Sequence, residues 1–138
     1  MAVRFYFDAD TLGLAKVIVK LRWDVTYPGD PGGTVKRHVR PPCPITATDV
    51  ADTEWIPIVA AEGWAIVSRD RKIQRRPAEL AAVRNQHAKL FAIASDEKLD
   101  VWRQLKILMC NWRAIDSLTA DRGPFIYRVT RTTMTRLL

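Results

Sequence analysis

The stretch Trp64-Ala65-Ile66-Val67-Ser68-Arg69-Asp70 decides the fold. Gly63 reads as a helix stop before it, the apolar run is short enough for a strand, and an aspartate follows at once. The chain opens in the same way. Val3-Arg4-Phe5-Tyr6-Phe7 offers aromatic and β-branched side chains to a buried, pleated surface, and it ends at Asp8. Trp23 to Tyr27, Lys89 to Ala94 and Phe125 to Thr130 read as further strands. Helices fill the intervals. Leu12, Leu14, Ala15, Val17, Ile18, Val19 and Leu21 cover most of one helix, with Lys16 and Lys20 on a polar strip. Ala78 to Gln86 is a second, and Leu99, Trp102, Leu105, Leu108 or Met109, Trp112 and Ile115 mark the core face of a long third. Thr48 to Glu62 is also helical, although Pro57 cannot donate to the carbonyl of Thr53. Either Thr48 to Thr53 forms a separate turn and the helix starts near Glu54, or a longer helix is kinked at the proline. Strand and helix thus alternate. That order predicts an α/β three-layer sandwich: a mainly parallel sheet of about five strands with helices on both faces.

The chain has 138 residues, 48% of them hydrophobic and 27% charged, which suits one globular domain over residues 1–138 and excludes disorder. Its longest apolar runs are a handful of residues, far below the roughly 18 of a membrane helix. Met1 to Asp8 meets an acid before a signal sequence develops, so a cytoplasmic protein is expected. Cys43, Cys110, His38 and His87 offer no zinc-type spacing. The two thiols read as a loop residue and a buried helical one.

Twenty-two Lys and Arg against 15 Asp and Glu give a net charge of +7, which favours a polyanionic partner such as nucleic acid. The cations cluster. Ser68-Arg69-Asp70-Arg71-Lys72-Ile73-Gln74-Arg75-Arg76 sets five around one aspartate. A second group, Lys36, Arg37 and Arg40, lies in a long loop at 28–45 that is rich in proline and glycine. That loop is either a flexible surface insertion or a basic arm touching a substrate. Arg128, Arg131 and Arg136 add charge near a basic C-terminal tail at 131–138. Each such side chain can neutralise a backbone phosphate. Of the tryptophans, only Trp23 and Trp55 are left to stack on unpaired bases, since Trp102 and Trp112 belong to the core face and Trp64 starts a strand.

Ligands of a parallel α/β sheet bind beyond the carboxyl ends of its strands. Asp8, Asp70 and Asp96 fall at such ends, and Asp49, Asp52 and Glu54 sit where the middle helix begins. Any one of them is explained by helix capping, Asp96 most simply as the cap of the long helix. Several converging are not. Two carboxylates about 4 Å apart repel by roughly 4 kcal/mol at an effective dielectric of 20. A hard divalent cation removes that penalty, and oxygen-only donors suit Mg²⁺ or Mn²⁺. Such an ion lowers the pKa of bound water enough to support phosphodiester hydrolysis near neutral pH.

Arg4-Phe5-Tyr6-Phe7-Asp8, Ala51-Asp52-Thr53-Glu54-Trp55-Ile56 and Trp64-Ala65-Ile66-Val67-Ser68-Arg69-Asp70-Arg71-Lys72-Ile73 together resemble the PIN-like nucleases, above all the VapC-type ribonuclease toxins of bacterial toxin–antitoxin modules. The resemblance covers roughly residues 3 to 130. It implies a Mg²⁺- or Mn²⁺-dependent endoribonuclease acting on tRNA or ribosomal RNA. It also implies a cognate antitoxin that holds the enzyme inactive, and a homodimer or a toxin–antitoxin hetero-oligomer. By position, Asp8 matches the first family acid, Asp52 the second and Asp70 the third, with Asp49 and Glu54 as alternatives for the second and Asp96 as a possible fourth. Some relatives carry a further acid two residues after the third, where this chain has Lys72. Lys72 is thus an outer phosphate contact, or it leaves the site with one metal, or with too weak a hold on metal in the absence of substrate. The last keeps a second function in view, a PIN-like protein that binds RNA or an antitoxin without cutting. Two other classes fit less well. Asp8-Ala9-Asp10-Thr11-Leu12 resembles the first motif of haloacid-dehalogenase-type phosphatases but has Leu12 where that motif wants Thr or Val. A phosphorelay receiver would suit +7 poorly.

Overall fold

The computed structural model describes residues 2–69, 76–95 and 97–138. Strand β1 (Phe5–Phe7) leads through a 3₁₀ turn (Ala9–Thr11) into α1 (Leu12–Ile18), followed by β2 (Val25–Thr26). A ribbon of β3 (Gly33–Val35) and β4 (His38–Arg40) comes next. Then come α2 (Asp52–Ala61), β5 (Ala65–Arg69), α3 (Pro77–Asn85), β6 (Lys89–Ile93), α4 (Val101–Leu118), β7 (Phe125–Val129) and β8 (Met134–Arg136). The main sheet has six strands in the order β2-β1-β5-β6-β7-β8. Every pair is parallel except β7 with β8. The expected α/β class holds. The additional strand comes from the segment read as a tail, because the turn at Thr130–Thr133 folds the chain back onto β7.

Side-chain alternation sorts the strands onto two cores, because successive residues of a strand point to opposite faces. Phe5, Phe7, Ala65, Val67, Phe91, Ile93, Phe125 and Val129 pack against α1 and α4. Tyr6, Ile66, Leu90 and Ile126 pack on the other face against Trp55, Ile56 and Val59 of α2 and Val83 of α3. The central strands are therefore apolar on both faces, as a covered parallel sheet requires. Each fully buried aromatic or branched side chain contributes roughly 1.5–3 kcal/mol. Among the described residues, no helix is long and apolar enough to cross a membrane.

Local chemistry sets the helix ends. Helix α2 starts at Asp52, after a turn at Thr48–Asp49, and carries Pro57 inside it. It stops at Gly63, whose φ of 76° allows Gly63 N–H to reach the carbonyl of Ala60 and Trp64 N–H that of Val59. Helix α3 ends on the same pair of bonds, from His87 to Arg84 and from Ala88 to Val83, but with His87 at φ 55° in the place glycine usually takes. For the long helix α4 the cap is Asp100, whose carboxylate accepts from Arg103 N–H at 2.9 Å. The cap expected at Asp96 lies outside the described residues.

Segment 28–45 is not an irregular loop. It contains the antiparallel β3–β4 ribbon, and its base is tied to the core by a buried ion pair. Asp30 accepts from Arg40 Nε at 2.7 Å and Nη2 at 2.9 Å, from Thr26 Oγ1 at 2.9 Å and from Gly32 N–H at 2.9 Å. Arg40, expected to contact RNA, is buried at 6% exposure and is part of this structural pair. Its guanidinium is held above its ordinary pKa by the hydrogen bonds to Asp30. Of the thiols, Cys43 is the loop residue expected and is buried, whereas Cys110, expected to be buried, is exposed on α4. Removing Asp30 strands a buried guanidinium. Asp30→Ala is expected to cost about 3–5 kcal/mol of unfolding free energy in a urea titration; a loss below about 1 kcal/mol would show that the pair does not anchor the ribbon.

Candidate active site

The carboxyl ends of β1, β5, β6 and β7 share one edge of the sheet, and the acid of β1 is fixed there by its backbone. Asp8 N–H donates to the carbonyl of Val67 on β5 at 2.9 Å. Thr11, itself buried, donates its hydroxyl to the carbonyl of Asp8 at 2.9 Å and lies 3.4 Å from that of Val67. The Asp8 side chain is 5% exposed and accepts from Ala9 N–H at 2.6 Å, capping the 3₁₀ turn. The capping role that explains any one of these acids is the one Asp8 takes here.

Asp52 is half-buried at the first position of α2 and accepts from the indole N–H of Trp55 at 2.9 Å. Trp55 is buried against Tyr6, ring centroids 5.0 Å apart, so it steers Asp52 and does not offer a face to a base. Trp23, the other tryptophan expected to stack on bases, lies against His38 with centroids 4.7 Å apart. Tyr6 reports on the acids around it. Burial first, then the negative charges of Asp8, Cys43, Asp52 and Asp10, push its phenol well above the ordinary tyrosine value. Of the three acids expected near the start of α2, Asp52 is the one that acts on Tyr6, whereas Asp49 and Glu54 are exposed.

Asp10 belongs to this group, although the sequence pointed to it only through a phosphatase-like motif. Both its oxygens face the backbone N–H of Arg69 at the end of β5, at 3.3 and 3.4 Å. Its signal was the Asp8-Ala9-Asp10 spacing: a tight turn after a strand returns the second acid to the same edge. Asp70, Arg71, Lys72 and Arg75 lie outside the described residues, as does Asp96. Among the described residues no three His, Cys, Asp or Glu side chains gather closely enough to enclose a metal ion. The donors that share the edge are all carboxylate oxygens, a set that matches the hard cations Mg²⁺ and Mn²⁺ and not zinc.

The expected RNA contacts divide. Arg69 is exposed at the end of β5, and Arg76 is exposed at the start of α3, 3.9 Å from Glu79. Lys36 and Arg37 form the exposed tip of the β3–β4 ribbon with φ of 47° and 71°. Two non-glycine residues in left-handed conformations cost on the order of 1–2 kcal/mol each, so the tip is held by the strands on either side.

The fold is an α/β sandwich with acids at the carboxyl edge of its parallel strands. The chain belongs to the PIN-like domain family, whose model, described as "PIN like domain", matches residues 4–95. PIN-like domains are generally nucleases. The match spans β1 to β6, so α4, β7 and β8 lie beyond it, whereas the resemblance read from the sequence ran to about residue 130. No curated protein and no solved structure matches the chain significantly.

The Tyr6 phenol gives this edge a pH signature. A group whose folded pKa is raised contributes stability that is full below its unfolded pKa and is lost as pH climbs towards the folded one. Stability should therefore fall above about pH 10, with an earlier contribution from Cys43, whose thiol burial also pushes up. Urea titrations at about pH 9, 10 and 11 are expected to show a shallower alkaline decline for Tyr6→Phe than for the unaltered chain. Parallel declines would mean that Tyr6 does not sit among these charges.

Proposed function

We propose that this chain is a Mg²⁺- or Mn²⁺-dependent endoribonuclease, the toxin of a type II toxin–antitoxin module, acting in the cytoplasm as a single PIN-like domain. The observation that carries the reading is Asp8 fixed at the end of β1 with Asp10 turned back onto the end of β5, in a PIN-like fold with net charge +7. Asp8 and Asp52, with Asp70, would hold the metal, and Asp10 stands beside them as a further candidate. When bound, a hard divalent cation supplies charge neutralisation at phosphate and a more acidic water.

The chain's own residues do the rest. Asp8 is held by Ala9 N–H and needs little reorganisation to receive a cation. Asp52, whose carboxylate accepts from Trp55, would take the proton from an attacking water. In the overall step water oxygen bonds to phosphorus, the bond from phosphorus to the leaving ribose oxygen breaks, and that oxygen takes up a proton. Arg69, Arg76, Lys36 and Arg37, with Arg71, Lys72 and Arg75, would lie along the phosphate backbone. The physiological substrate would be tRNA or ribosomal RNA, and the resting form a complex with a cognate antitoxin, as a homodimer or a hetero-oligomer.

Total RNA incubated with purified chain is expected to be cut with Mg²⁺ or Mn²⁺ and to be spared in a chelator. Asp8→Asn and Asp70→Asn are each expected to lower the rate by roughly 100-fold or more. Expression should arrest growth, and the adjacent reading frame should relieve it. Cleavage undiminished in both variants would refute the metal-site assignment. Binding of RNA without any cleavage would identify the chain as a PIN-like binding protein.

A further inference from the structure

A groove of about 810 Å³ opens at the carboxyl ends of β6 and β7, against the first turns of α4. Its wall includes Trp102, Lys106, Arg128 and Arg131. Trp102 is 76% exposed, although its place in the apolar periodicity of α4 puts it with the core. Lys106 stands four residues on, along the same side of the helix. The opposite wall is the Thr130–Thr133 turn, held by Thr130 N–H to the carbonyl of Thr133 at 2.9 Å and by Asn111 to the carbonyl of Thr130 at 2.7 Å. That turn presents Arg131 and Thr132 to solvent.

Two acids, Glu97 and Asp100, also line the groove, but both are occupied by Arg103, at 2.9 and 3.0 Å. The described lining residues carry four cations, Arg103 among them, against these two acids. The groove therefore favours an anion, and its one large aromatic surface favours a flat one. An exposed indole beside ammonium and guanidinium groups is the combination that holds unpaired nucleotides, by stacking on the base and neutralising the phosphate. A duplex keeps its bases stacked internally and offers the indole nothing.

The groove also lies in line with the candidate active site. Sheet order places β5 and β6 between Asp8 at the end of β1 and Thr130 at the end of β7. With strands about 4.8 Å apart, the groove begins roughly 10–15 Å along the edge from Asp8, a span that a few nucleotides of single strand cover. We propose that the groove between α4 and the β7–β8 turn binds single-stranded RNA, with Trp102 stacking on an unpaired base and Lys106 and Arg131 contacting phosphates. The inference rests on the edge being where RNA is cut. It adds the path by which the strand is held, through residues that lie beyond the segment the family model matches.

The test uses the full chain in an Asp8→Asn background with Mg²⁺ present, so that a fluorescent oligouridine strand binds without being consumed. Trp102→Ala is expected to weaken binding about 5- to 150-fold, and Trp102→Phe to restore most of it. Arg131→Ala should reduce the slope of log K against log salt by about 0.7. A duplex of equal length should bind more weakly and ignore Trp102. Because Trp102 is exposed, its loss should leave the thermal unfolding midpoint within a degree or two. Oligouridine affinity within twofold of the parent for Trp102→Ala would overturn the proposal. So would poly-glutamate binding that depends on Trp102 as strongly as RNA binding does, which would assign the groove to an acidic protein. The two readings fail separately. Trp102-dependent binding with no cleavage by the unaltered chain would refute the nuclease function alone, whereas cleavage with Trp102 irrelevant to binding would refute the groove alone.

Discussion

Strand β1 is the constraint on which the rest depends. It is three residues long, buried on both faces, and paired on both sides, with β2 and with β5. Phe5 and Phe7 close one core and Tyr6 the other. With that much surface committed, the strand cannot slip in register without sending Tyr6 into the wrong layer. Asp8 follows directly and is therefore delivered to the sheet edge with no freedom of its own. Thr11 then locks the turn by reaching back to Asp8 and across to Val67. Asp10 and Asp52 are placed by the same strand, one through the turn and the other through the contact of Trp55 with Tyr6.

Much of this is legible in sequence because a covered parallel strand leaves a simple trace: a short apolar run, then a break. Asp8 stands out for that reason. The break after β5 carries a similar mark at Asp70, beyond the described residues. Less legible were features whose meaning depends on a distant partner. Arg40 looks like a surface cation until Asp30 is seen to enclose it, and no local pattern announces a pair ten residues apart across a ribbon. Trp102 follows the helical apolar period, yet at the second position of α4 it is exposed. Cys110, expected to be buried, falls on the outer side of its helix. The final strand was read as a tail because Met134–Arg136 is short and half polar, as edge strands are.

The excess of positive charge is not spread evenly over this framework. One cation, Arg40, is consumed in the core, and Arg4 and Arg22 surround the buried Asp24 near the start of β1. The exposed cations that remain include Arg69 and Arg76 beside the carboxyl edge, Lys36 and Arg37 on the ribbon, and Lys106 and Arg131 at the groove. The carboxyl edge thus carries Asp8 and Asp10 together with exposed Arg69.

The proposed function stands on a divalent cation held by the acids at the carboxyl edge. Crystals of the full chain soaked in Mn²⁺, with data collected at the manganese absorption edge, test it most directly. An anomalous peak is expected at the end of β1, with an Asp8 carboxylate oxygen within about 2.0–2.6 Å of the ion and no nitrogen or sulfur ligand. A well-ordered edge at saturating Mn²⁺ with no peak there, or with Asp8 and Asp70 turned apart, would contradict it.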